Sequence, residues 1–109
     1  MILATIRMMI PPKKRDEAFR LLRSVSDRCK DRSGCLGCYI YEDVQENNVI
    51  MFEEMWKSEE DLERHLRSGE YRNVLLVMEM ALKHPEVRFN TVSTSTGIET
   101  IEKARGETR

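Results

Sequence analysis

Apolar side chains dominate the first ten residues, where Ile2-Leu3-Ala4-Thr5-Ile6-Arg7-Met8-Met9-Ile10 runs up to Pro11-Pro12. This pattern predicts a first strand followed by a helix start. From Lys13 to Asp31 the apolar positions Ala18, Leu21, Leu22, Val25 and Cys29 recur at helical intervals on an otherwise charged segment, so one stripe should lie on a sheet. Ser33-Gly34 breaks that helix. Cys35 to Val44 then reads as a second strand, with Tyr39, Tyr41 and Asp43 on one face and Cys38, Ile40 and Glu42 on the other. Glu46-Asn47-Asn48 makes a hairpin turn into a third strand, Val49 to Lys57. That strand puts Ile50, Phe52, Glu54 and Trp56 on one side and Val49, Met51, Glu53 and Met55 on the other.

Ser58 followed by Asp61 resembles a capping box, so a helix should begin there and run through Leu62, His65 and Leu66 until Ser68-Gly69. A further helix is expected from Glu70 to His84, with Tyr71, Val74, Leu75, Met78 and Leu82 at helical spacing. Leu76, Val77, Met80 and Ala81 make it apolar nearly all round, which calls for a covering partner. Pro85 should end it. Val87 to Thr94 alternates as the last strand, and Gly97 to Arg109 reads as a polar, mobile tail. The order is βαββαβ: an α+β, ferredoxin-like arrangement with an antiparallel sheet, helices on one face and the other face open. Ile50, Phe52 and Trp56, or their neighbours on the opposite face, are too apolar to stay in water. Dimerisation through the sheet would cover them.

The 109 residues make one domain, assigned to residues 1–96, with the tail from 97. With 18 Lys plus Arg against 19 Asp plus Glu, net charge −1, the footprint of a nucleic-acid binder is missing. The longest apolar run, Val74 to Met78, is far short of the roughly 20 residues of a membrane span, and no signal-peptide pattern opens the chain. A cytoplasmic location is expected. Cys29, Cys35 and Cys38 form an odd set, so reduced thiols are expected rather than a disulfide framework.

Several of these segments together resemble the antibiotic biosynthesis monooxygenase domains of the dimeric α/β-barrel superfamily. They are the proline after the first strand, the Ser33-Gly34-Cys35-Leu36-Gly37 turn into Tyr39-Ile40-Tyr41, Glu54-Met55-Trp56-Lys57-Ser58-Glu59-Glu60 and Leu62-Glu63-Arg64-His65-Leu66-Arg67-Ser68. The resemblance covers residues 1 to about 95. It implies two ferredoxin-like subunits packed sheet to sheet into a barrel, each with a pocket between its sheet and helices. Some members oxidise quinols or polyphenolic aromatics with O2 and without metal or flavin, and others degrade haem. The haem-degrading pattern has an Asn on the first strand, a Trp where His65 stands and a His ten residues later. Here Ile6 or Arg7, His65 and Leu75 occupy those places, so no axial ligand is supplied. The Pro-His pair that often follows the Ser of the second motif is replaced by Gly69-Glu70.

Cofactor-free oxygenation needs a base and a dry, shaped pocket, because a deprotonated hydroquinone can itself reduce O2. His65 is the candidate base and Glu54 its helper; Trp56 offers a flat wall with an indole N–H, and Tyr41, Tyr71 and Phe52 are candidate lining residues. Each has a purely structural alternative: a half-buried helix His, a salt-bridged Glu, a core Trp. No cofactor and no metal are expected. Cys35 and Cys38, three apart on an extended strand, should point to opposite faces, and only Cys29, His65 and His84 remain to complete a zinc set. The ligand expected is a small aromatic or apolar molecule. A non-catalytic dimeric barrel, or an isomerase or hydratase on the same fold, is the alternative reading.

Overall fold

Every second side chain of Ile2–Met9, the strand β1, is buried, and Ile2, Ala4, Ile6 and Met8 form the floor of the core. This is the period-two signature of a sheet covered on one side. The computed structural model describes residues 1–106. Pro11 and Pro12 open a short 3-10 turn, and α1 follows over Arg15–Cys29, burying Ala18, Leu21, Leu22, Val25 and Cys29 on that floor. Strands β2 (Cys35–Glu42) and β3 (Val49–Trp56) form a hairpin. Helices α2 (Glu59–Leu66) and α3 (Arg72–Met80) then lead to β4 (Glu86–Thr91). The antiparallel sheet has the order β2-β3-β1-β4, as the ferredoxin-like reading requires. No helix among the described residues is long and apolar enough to cross a membrane.

Ile50, Phe52, Glu54 and Trp56 of β3 all point to the helix side and are buried there, so the chain's own helices cover them. The open face instead carries Leu3, Met51 and Met55, half-buried, together with the exposed rings of Tyr39 and Tyr41. Arg7 on the same face is neutralised by Asp43 at 3.0 Å and Glu46 at 2.8 Å.

Four expectations change. Strand β2 ends at Glu42 rather than Val44, because the Asp43 carboxylate accepts the N–H groups of Gln45 and Glu46 and turns the chain out of the ladder. The last long helix begins at Arg72 after a 3-10 turn and stops at Met80, well before Pro85. Ala81 is extended, and the Leu82 N–H donates to the Met9 carbonyl, so the chain is already returning to the sheet. Leu82 is thereby exposed and does not belong to the helix's apolar face. The polar stretch after Gly97 contains a helix, α4 (Ile98–Arg105), closed by Gly106 in the left-handed conformation. Finally, the register of β2 slips between Cys35 and Gly37: Cys35 lies opposite Trp56 and Cys38 opposite Glu54. This bulge at Leu36 adds one residue, which cancels the alternation and turns both thiols toward the helices.

Candidate functional site

The site is built where β3 passes into α2. At the end of the strand the Lys57 N–H donates to the Gly34 carbonyl, and Ser58 caps the helix by accepting the Asp61 N–H at 3.2 Å while its hydroxyl donates to the Asp61 carboxylate at 2.8 Å. The short helix then folds His65 back over the strand it has just left. Its Nε2 lies 2.5 Å from Oε2 of Glu54, at ion-pair distance but without a linear N–H···O alignment. The two side chains are only 1% and 2% exposed. The Trp56 ring stacks on the imidazole, centroids 4.6 Å apart and tilted by 31°, and Tyr71 meets it edge-on at 5.2 Å. Neither His65 nitrogen, nor the Trp56 indole N–H, has a hydrogen-bond partner among the described residues.

On the far side of Glu54 stands Cys29, the last residue of α1. Its thiol donates to Oε2 of Glu54 at 3.6 Å and is approached by the Cys35 thiol at 3.5 Å. A hydrogen bond with Cys38, then burial, push the Cys29 thiol far above its ordinary value, so it is a thiol and not a thiolate. Burial, with the Glu54 charge second, pushes the Tyr71 phenol up in the same way. Trp56 and His65 also form the inner wall of a cleft of about 300 Å³, whose rim is made by Arg32, Ser33, Asp61 and Arg64. Arg32 is tied to the buried Glu70 carboxylate at 2.5 Å, which fixes the loop after α1 against the entrance of α3.

Of the residues singled out in the sequence, Glu54, Trp56, His65 and Tyr71 come together. Phe52 lies on the same face of β3 but is sealed in the core and does not line the cleft. Tyr41 is on the opposite face, where its hydroxyl donates to Glu53 at 3.1 Å, a bond that raises its phenol; odd numbering along β2 past the bulge carries it away from the helices. Cys29 was legible as an apolar position of α1 and as one of three residues left over for a zinc set, but not as a neighbour of Glu54, and Arg32 carried no pattern at all.

The family model for antibiotic biosynthesis monooxygenase matches residues 1–75, which include the junction and all four converging residues. The chain belongs to this family. Solved structures agree on the fold of this family member. A conserved protein from Methanosarcina mazei Go1 is 23% identical, with 82% of this chain and 89% of that one covered and a TM-score of 0.76. A Mycobacterium tuberculosis protein is 20% identical over 88% and 98% of the two chains, with a TM-score of 0.78. A candidate antibiotic biosynthesis monooxygenase from Deinococcus radiodurans reaches 0.80 at 14% identity, covering 90% and 98%. No curated protein sequence matches the chain. At these identities the likeness speaks for the architecture, and the chemistry has to be argued from the side chains.

Proposed function

We propose that this family member is a cofactor-independent monooxygenase that oxidises a quinol-like or polyphenolic aromatic with O2, His65 acting as general base. The observation that carries the reading is the buried Glu54–His65 pair at the inner wall of a cleft, with the flat Trp56 ring stacked beside the imidazole. Glu54 faces Nε2, which leaves Nδ1 as the nitrogen for a substrate proton. When the imidazole takes up that proton, the adjacent carboxylate stabilises the cation in a site screened from water. The phenolate so formed carries electron density to an open ring carbon, where O2 adds and forms a C–O bond, and the imidazolium returns its proton to the peroxide. Loss of water from the resulting hydroperoxide breaks the O–O bond and leaves a quinone carbonyl. One oxygen atom stays in the product, the other leaves as water, and the substrate supplies all the electrons. Trp56 serves as the wall against which the aromatic ring lies, and the Tyr71 hydroxyl remains protonated and able to donate.

Two chains pack sheet to sheet in this reading, covering Leu3, Met51, Met55, Tyr39 and Tyr41, while each cleft stays on the helix side of its own sheet. Oxygen uptake against a panel of hydroquinones and naphthohydroquinols, corrected for autoxidation, tests the chemistry. His65→Ala should lower the rate by about 10²- to 10⁴-fold, the range of a general base. Equal uptake by the two proteins with every quinol would remove His65 as the base.

A further inference from the structure

The Glu54 carboxylate is buried and, among the described residues, pairs with no Lys or Arg, the imidazole of His65 being its one ion-pair partner, while Arg32 on the rim is held by Glu70. A carboxylate out of water needs compensation, and here its neighbours are a thiol and an imidazole whose nitrogens lack hydrogen bonds. The Cys29 sulfur, a Glu54 carboxylate oxygen and a His65 ring nitrogen all lie within 4.8 Å of one another, and all three residues are buried. We propose that Cys29, Glu54 and His65 form a binding site for a zinc-class divalent metal ion, with the fourth coordination position facing the cleft.

The donor set selects the ion. One sulfur, one nitrogen and one oxygen suit a borderline-soft ion such as Zn2+, which displaces the Cys29 thiol proton to solvent as the S–metal bond forms, whereas Mg2+ and Ca2+ require oxygen ligands. Tetrahedral coordination at ordinary bond lengths separates such donors by about 3.3 to 3.6 Å. The Cys29–Glu54 separation is 3.6 Å, the 2.5 Å approach of His65 to Glu54 has to open by about 1 Å, and the Cys29–His65 separation, within 4.8 Å, has to settle into the same range for the ion to enter. The ligands come from the end of α1, the middle of β3 and the last turn of α2, three elements fixed independently by the sheet and the Ser58 cap. Trp56 and Tyr71 close the outer shell with aromatic surface.

A metal on Nε2 leaves the proton on Nδ1, and an imidazole in that state cannot act as a base. Metal occupancy and turnover therefore exclude each other, and this consequence alone depends on the monooxygenase reading. The site itself is tested without substrate. The full chain, with its thiols reduced and its metals stripped, is titrated with Co2+, and thiolate-to-cobalt charge-transfer absorption in the near ultraviolet is followed. One ion per chain should bind, and Zn2+ should displace it. Cys29→Ser should abolish the charge-transfer band and His65→Gln should weaken binding beyond the about ten- to hundredfold expected for an outer-shell partner. Cys35→Ser should keep both band and affinity. Far-ultraviolet circular dichroism confirms that each variant is folded, and His65→Gln keeps the test decisive if Cys29→Ser is not. No band in the wild type, or a band that survives Cys29→Ser and vanishes in Cys35→Ser, overturns the site. A metal-binding chain whose stripped form takes up no oxygen with any quinol would overturn only the function proposed above, and a stripped chain that turns over but binds no ion in the titration only the site.

Discussion

At the scale of single residues, Tyr71 and Gly34 show how this junction constrains chemistry and backbone differently. The Tyr71 phenol is buried against His65, and burial together with the Glu54 charge keeps it protonated far into the alkaline range. Its hydroxyl should therefore remain a donor well above neutral pH. We expect Tyr71→Phe to change KM for a phenolic substrate while leaving the alkaline side of the pH–rate profile where it was; a shift of that limb would show that Tyr71 titrates. Gly34 has φ +81°, a conformation that costs other residues, and a Cβ there would overlap the Asp61 side chain. Its carbonyl also receives the Lys57 N–H at 2.8 Å, so the turn before β2 and the cap of α2 are fastened at one point. Gly34→Ala should lower stability by more than about 1 kcal/mol, since the usual entropic gain from alanine is reversed where φ is positive. A denaturant melt with an unchanged midpoint would contradict this.

At the scale of elements, the start of α2 matters most because it aims His65. Hydrogen bonds from the Ser58 hydroxyl, then from Arg64, hold the Asp61 carboxyl below its ordinary value. A group depressed in the folded state stabilises it above the unfolded pKa and loses that effect as pH falls through the folded value. Stability should thus decline on acidification below about pH 4, and this decline should be shallower in Asp61→Asn. Ser58→Ala removes the cap itself and should cost about 1 kcal/mol at neutral pH, read from the thermal midpoint. Much of this was legible in advance. The Ser58 and Asp61 spacing, the stripe of α1 and the alternation of β1 and β3 are local patterns that tertiary structure had no reason to override. The elements that escaped did so for nonlocal reasons. The bulge at Leu36 depends on how β2 pairs with β3, and without it Cys35 and Cys38 read as opposite-facing. The early end of α3 depends on Leu82 reaching back to Met9. The convergence of Cys29 with Glu54 and His65 required the packing of three elements, which no spacing along the chain records.

At the scale of the whole molecule, the two faces of the sheet carry separate duties. The helix face holds the cleft and all the buried ionisable groups of the site, whereas the open face shows methionine, leucine and tyrosine around one neutralised arginine. In a two-fold pair Met55 would lie near the self-complementary contact, opposite Leu3 and Gly37 of its own sheet. Met55→Lys introduces a charge on each side of that contact, and an unpaired buried charge is costly enough to prevent closure. The variant should therefore sediment as one chain at micromolar concentration where the wild type sediments as two, and its thermal midpoint should lose the dependence on protein concentration that association confers. Because every ligand and base atom of the site comes from one chain, the single chain should still take up oxygen with a quinol. Loss of activity with the monomer intact would instead mean that a partner completes the cleft, and a wild type that sediments as one chain would remove the barrel.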